Sequence, residues 1–133
     1  MAINIRRVVN FEKAKGLVKP LGNIGLNSAF MFASRAKNRN HNYAVYNNGN
    51  FVGFALLSPN HENNRVLYLN LIVTKPKKGY GALLMNRIKS NARNQGFRRI
   101  NLNSVPEART FYEHNKIGFK RAIGGGSKYS FNL

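Results

Sequence analysis

The chain has 133 residues, with 22 Lys and Arg against four Glu and no Asp, a formal net charge of +18, and no cysteine. That length suits one domain with a real core and leaves no room for a second cofactor-binding domain, while the missing thiols exclude disulfides and thiolate metal sites. Hydrophobic residues make up 43% of the chain, with nine Phe and six Tyr, yet no apolar run nears the roughly 20 residues of a membrane span, so a soluble, intracellular protein is expected.

Ile3 to Val9 reads as a first strand, and MAINIRRVVN has basic residues but no apolar stretch behind them that would make a secretory leader. Asn10 has the side chain to cap a helix running to Gly16–Val18, with Glu12 in the first turn and with Pro20 and Gly22 closing it. A second helix is expected from Asn27 or Ser28 through AFMFASRAK. HNYAVYNNGNFVGFALLSPN then alternates as two strands joined at Asn47-Asn48-Gly49-Asn50, because Asn and Gly tolerate the positive φ of a tight hairpin. Asn63-Asn64 leads into a long strand, RVLYLNLIV. Leu84, Ile88 and Ala92 recur at helical spacing, which leaves Arg87, Lys89 and Arg93 to face water, and Gly96 stops that helix. Arg98 to Val105 is strand-like. Pro106 and Glu107 open a helix through Ala108, Phe111 and Tyr112 toward Gly118. Phe119–Ala122 and Lys128–Leu133 pair across Gly124-Gly125-Gly126. The order is β-α-α-β-β-β-α-β-α-β-β, an α/β fold with a single mixed, mostly antiparallel sheet flanked by helices, as one domain over residues 1–133.

Between the long strand and the following helix lies KPKKGYGALLM, Lys75 to Met85. A strand that enters a glycine turn opening a helix suits a phosphate group, because free backbone N–H groups and the positive helix end meet the anion together. Gly79 and Gly81 let the backbone approach, and Lys77 and Lys78 add charge. The same glycines equally suit a plain tight turn. The stretch is not a P-loop, having no Lys-Ser/Thr after the second Gly, nor a dinucleotide fingerprint, having no third Gly.

Here the sequence resembles the GNAT superfamily of acetyl-CoA-dependent N-acetyltransferases, as a small and strongly basic member, in element order over most of the chain and most specifically from Tyr68 to Phe119. PKKGYGA matches the segment that wraps the coenzyme A pyrophosphate in that family, and GYGALLMN is similar to histone-acetylating members. Ala108-Arg109-Thr110-Phe111-Tyr112, followed by Gly118-Phe119, resembles a second family motif. The resemblance implies acetyl-CoA as acetyl donor, with Lys77, Lys78, Gly79, Tyr80, Gly81 and Ala82 around the pyrophosphate. It implies pairing of the pantetheine arm with the backbone of Leu71, Ile72 and Val73, and Tyr112 as the acid that protonates the departing thiolate. A phenol near pKa 10 is protonated at neutral pH and suits that task; by helical spacing alone Tyr112 is equally a core aromatic beside Phe111. Three positions depart from the family pattern. Pro76 stands where Gln or Arg is usual, Arg65 stands where histone-acetylating members carry a Glu base, and Val105 stands where Asn is frequent. His61, Glu62 and Ser104 are candidate helpers in proton transfer, with Ser104 also suited to closing a strand or capping a helix.

The charge points to a polyanion, DNA or RNA, or to an acidic protein. Arg35, Lys37 and Arg39, with His41, form one basic cluster for it. Phe30, Phe32, Tyr43 and Tyr46 either stack on bases or fill the core. Four Glu make no acidic groove for a cationic acceptor, so an amine on a nucleic acid or on an acidic partner is expected. The alternative is a catalytically weak or inactive nucleic-acid-binding or packaging protein of the same fold. His41 and His114 lack paired ligand spacing, so no metal is expected.

Overall fold

The computed structural model describes residues 2–7, 9–22, 24–34, 41–60, 62–76, 79–114 and 116–133, without the side chains of residues 24–26, 32, 34 and 107. Its elements follow the expected order: β1 (Ile3–Arg6), α1 (Phe11–Val18), α2 (Ile24–Ser34), β2 (Tyr43–Asn47), β3 (Asn50–Pro59), β4 (Val66–Thr74), α3 (Tyr80–Asn94), β5 (Arg99–Asn103), α4 (Arg109–Glu113), β6 (Lys120–Arg121) and β7 (Lys128–Asn132). The seven strands form one mixed sheet, ordered β1-β2-β3-β4-β5-β7-β6. β4 and β5 are parallel, whereas β1–β2, β2–β3, β5–β7 and β6–β7 are antiparallel. Two compact units contain the chain, Met1–Ser58 with Asn70–Leu84, and Pro59–Leu69 with Met85–Leu133.

In the first unit, Asn10 caps α1 as its residue type suggests. Its Oδ1 accepts from the N–H of Glu12 at 3.0 Å and of Lys13 at 3.1 Å, satisfying two donors that the helix itself leaves free. Asn10→Ala is expected to cost about 1 kcal/mol, read as a lower urea midpoint at unchanged slope. α2 starts at Ile24, ahead of Asn27 and Ser28. Gly22, at φ 63°, ends the 3-10 turn Lys19–Leu21, and residue 23, between that turn and α2, lies outside the described residues. The hairpin turns on Asn48 and Gly49, at φ 50° and 83°, the positive values that match the twist of the flanking strands.

The core of this unit gathers Phe54, Phe30, Val18, Ala14, Leu71 and Val73. The Phe54 ring meets Phe30 edge-on at 5.9 Å and stacks on Phe51 at 6.3 Å. Phe30, Tyr43 and Tyr46 are buried, the tyrosines at 2% and 8% exposure, so they fill the core and are not a surface for stacking bases. Arg7 lies 4.5 Å over the Tyr43 ring and Arg6 4.6 Å over the Tyr46 ring, where cation–π attraction holds part of the basic surface against the protein itself. The Phe32 side chain lies outside the described ones.

In the second unit, Leu67, Ile100 and Leu102 present one apolar side of β4 and β5, and Met85, Ile88 and Ala92 present the buried side of α3. Four elements are shorter than expected. β1 ends at Arg6, β5 ends at Asn103 and β6 holds only Lys120–Arg121. The helix expected to run toward Gly118 is a 3-10 turn, Pro106–Ala108, followed by α4, which stops at Glu113. His114 takes ψ 141°, which ends the helix, and its carbonyl then accepts from the N–H of Ile117 and Gly118.

Candidate active site

β4 pairs with β5 only from Val66↔Arg99 to Leu69↔Leu102, although it continues to Thr74. From Asn70 onward, therefore, its backbone on that edge has no ladder partner in β5. An extended ligand carrying amides can add to such an edge as a strand, by main-chain hydrogen bonds that make little demand on side-chain type. Leu71 and Val73 point into the core and Ile72 is half-buried, so the three expected ligand-pairing residues offer their backbone.

The same strand leads to the start of α3. Leu83 N donates to the Gly79 carbonyl at 3.1 Å, which makes Gly79 the capping residue, at φ 69°. An Asp or Ser there would cover the first N–H groups with its own oxygen. Glycine cannot, so the N–H groups of Tyr80, Gly81 and Ala82 have no acceptor inside the helix. The first turn carries no acid, and a Cβ built on Gly79 meets nothing within 4 Å. This is an open anion cradle with its donors unclaimed by a cap, and the pyrophosphate of coenzyme A fits its chemistry. The Tyr80 ring is buried. Its hydroxyl accepts from Asn47 Nδ2 at 2.8 Å, pinning the helix start to the end of β2. Lys77 and Lys78 lie outside the described residues.

Tyr112 belongs to the second unit. It is 7% exposed, with Phe111 edge-on at 5.2 Å, Phe119 edge-on at 5.8 Å and Tyr129 tilted at 6.1 Å. Phe119 N donates to the Tyr112 carbonyl at 3.0 Å, which joins the two halves of the second motif. Burial pushes the phenol well above its ordinary value of 10, because a phenolate among rings loses its hydration. The hydroxyl is therefore a proton donor throughout the neutral and mildly alkaline range.

Lys89, expected to face water, is 8% exposed. The buried side of α3 is two residues wide, taking in Met85 and Lys89 beside Leu84 and Ile88, and Met85 four residues earlier is the signal that spacing from Leu84 alone overlooked. Its Nζ donates to the Ile117 carbonyl and stands 3.8 Å from the centre of the Phe131 ring. Burial, and then the charge of Arg93, lower its pKa from the ordinary 10.5. Between that lowered value and 10.5 the unfolded chain holds a proton the native one has released, so stability rises with pH across this window. Lys89→Met is expected to flatten that rise in urea titrations at stepped pH, while leaving a buried Ile117 carbonyl short of a donor at a cost of about 1 kcal/mol.

Ser104 is buried, and its hydroxyl donates to the Val105 carbonyl at 2.7 Å. Arg65 and Glu62 are exposed. Each has its backbone N–H held by an Asn side chain two residues earlier, Asn63 and Asn60 respectively. His61, Arg35, Lys37 and Arg39 lie outside the described residues. Among the described residues no three His, Asp or Glu side chains gather to hold a metal ion, and no helix is long and apolar enough to cross a membrane.

Among solved structures, the chain is similar to the ribosomal-protein-S18-alanine N-acetyltransferase from Escherichia coli, with a TM-score of 0.75 and 18% identity over 99% of this chain and 94% of that one. It is also similar to the PaiA N-acetyltransferase from Thermoplasma acidophilum, solved in complex with coenzyme A, with a TM-score of 0.68 and 18% identity over 100% of both chains. The N-acetylglutamate synthase from Neisseria gonorrhoeae, complexed with coenzyme A and N-acetyl-glutamate, gives a TM-score of 0.72 at 19% identity. That match takes in 100% of this chain but 35% of the synthase, so the chain spans about a third of that enzyme's length. No curated protein sequence matches the chain. The model of the acetyltransferase (GNAT) family matches residues 18–119, most of the sequence, and the chain belongs to that family.

Proposed function

We propose that the protein moves the acetyl group of acetyl-CoA directly onto an amine. The observation that carries this reading is the early end of β4–β5 pairing at Leu69↔Leu102, on the strand that runs on to a helix capped by Gly79, whose first N–H groups have no acceptor within the helix itself. Acetyl-CoA supplies an activated thioester. The free edge of β4 orients its amide-bearing arm, the N–H groups of Tyr80, Gly81 and Ala82 hold the pyrophosphate with Lys77 and Lys78 beside them, and the Tyr112 hydroxyl gives its proton to the sulfur as the bond to the acetyl carbon breaks. No Cys is present to carry the acetyl group in between. Arg65, where related histone-acetylating sequences have a Glu, cannot take the ammonium proton. The amine therefore enters neutral, or loses its proton to water or to a helper such as Glu62 or His61, and Ser104 assists only if its hydroxyl leaves the Val105 carbonyl.

With four carboxylates against 22 Lys and Arg, an acceptor amine carried by a nucleic acid or by an acidic protein fits better than a cationic tail, with Arg35, Lys37 and Arg39 as one contact region. A second reading, favoured by the exposed Arg65, retains polyanion binding and gives up turnover.

Calorimetry with acetyl-CoA and CoA tests the assignment. Parent protein is expected to bind both, and Gly81→Asp to bind at least about tenfold more weakly, a loss of about 1.4 kcal/mol. An acid in the first turn favours the helix itself, so the loss would report repulsion of the ligand's phosphates and not unfolding. Equal affinity of parent and variant would remove the cradle from the site. Binding without acetyl transfer to any offered amine, nucleic acid included, would favour the second reading.

A further inference from the structure

The second unit carries a pocket lined by none of the residues assigned above to acetyl transfer. Strand register sets Tyr68, Asn101 and Ser130 side by side on β4, β5 and β7, with Asn103 opposite Lys128 in the next row. Residues two apart on a strand share a face, so Arg99 stands on the same side as Asn101 and Asn103. Together with Asn60 these residues line a cavity of about 350 Å³, within the range of small-ligand pockets. No carboxylate lines it, and both of its cations, Arg99 and Lys128, are exposed.

In the lining, the buried Asn101 Oδ1 lacks a hydrogen-bond partner among the described residues. Buried polar atoms are nearly always paired, so an unpaired one at a cavity suits a bond from a bound molecule or an ordered water. The Asn101 oxygen needs a donor. Asn103 Nδ2, by contrast, is already committed to the Tyr68 hydroxyl at 2.7 Å, which holds that ring in place at the cavity. A ligand that suits this lining carries negative charge for Arg99 and Lys128, an N–H edge for Asn101 and a flat face for the Tyr68 ring.

We propose that this pocket binds a nucleoside phosphate, either free or as one unit of a single-stranded nucleic acid. The base edge meets the Asn101 amide, whose paired acceptor and donor suit the mixed edges of a base, the ring of Tyr68 lies against the base face, and the phosphate meets Arg99 and Lys128. This extends the polyanion part of the reading above and is independent of acetyl transfer.

Fluorescence anisotropy with a labelled single-stranded RNA, and competition by unlabelled adenosine and cytidine monophosphates, tests it on the whole protein. Parent is expected to bind the RNA with affinity that falls steeply with salt. Arg99→Gln with Lys128→Gln, both at exposed positions, is expected to weaken binding at least about tenfold and to reduce the log–log salt slope by about 0.7 for each phosphate no longer neutralised. Asn101→Leu is expected to change preference among bases while leaving the salt slope unaltered. Competition by the monophosphates identifies a free nucleotide as sufficient, and RNA binding that they do not displace identifies the polymer. Gly81→Asp is expected to bind RNA like parent, and acetyl-CoA not to displace it. Parent that binds no RNA at low salt ends both the polyanion reading and this one. Parent that binds while the Arg99, Lys128 and Asn101 variants bind identically places the polyanion elsewhere and overturns the pocket alone. Displacement by acetyl-CoA would likewise overturn it, since the nucleotide would then share the cofactor's cradle.

Discussion

Tyr112→Phe is expected to lower turnover by about 10²-fold or more while leaving acetyl-CoA affinity within about twofold, the pattern of a missing proton donor. The substitution removes one oxygen and keeps the ring. The edge-on packing with Phe111 and Phe119 survives it, and no hydrogen bond to the described residues goes with the hydroxyl, so folding is a minor part of the effect. The raised phenol pKa adds a second observable. An ordinary phenol would begin to lose its proton as the pH nears 10, whereas burial holds Tyr112 protonated beyond that. Parent activity is therefore expected to show no alkaline decline assignable to this group up to pH 10. Steady-state kinetics at stepped pH, with calorimetry for the donor, checks both. Unchanged turnover in Tyr112→Phe would return the residue to the core, where its aromatic neighbours already give it a sufficient structural role.

Gly53→Val is expected to cost about 2–3 kcal/mol of stability and at least about tenfold in acetyl-CoA affinity. Gly53 sits in β3, and a Cβ built there falls 2.7 Å from Thr74 Cγ2, 3.1 Å from Thr74 Cβ and 3.1 Å from the Val73 carbonyl oxygen. The threonine methyl can rotate away. The carbonyl belongs to the β4 backbone, so relieving that clash moves the strand whose other edge is offered to the ligand. Gly53→Ala should shift both quantities in the same direction by less. Urea unfolding and calorimetry on the same preparations read the two effects together, and a valine variant matching parent in both would mean that β3 and β4 tolerate a wider spacing than they show.

The order of elements was legible because it rests on local signals. Asn48-Gly49 must turn, Leu84, Ile88 and Ala92 must share a helix face, and Pro106 must open a helical turn. What escaped depended on partners far away in sequence. Tyr46 alternates with its neighbours like a half-exposed strand residue, and only packing in the cluster that holds Ala14, Val18 and Phe30 of α1 and α2 decides that it is covered. Lys89 looks solvated by residue type, and its burial follows from Phe131 and the Ile117 carbonyl, 42 and 28 residues on. The candidate site divides in the same way. Its glycines and Tyr112 stand out in the sequence, whereas the end of β4–β5 pairing is a property of register that no single residue announces. The lining of the nucleotide pocket comes from β4, β5 and β7 together, and its asparagines look like composition until the strands set them side by side.

The two outer strands of the sheet, β1 and β6, are four and two residues long, and their exposed positions include Arg6, Lys120 and Arg121. A bare strand edge is a template on which another copy can add its own strand, and brevity and cationic side chains are the usual defences against it. Here both rims carry the same sign, so two copies approaching rim to rim meet repulsion before any backbone bond can form. That protection depends on salt, because charges are screened beyond roughly 3 Å at 1 M salt. Polyanions also remove it by covering the lysines and arginines. Solutions of this protein are therefore expected to scatter light more at high ionic strength, or at near-neutralising ratios of RNA, than in dilute buffer, with the onset of association following total charge and not loss of fold.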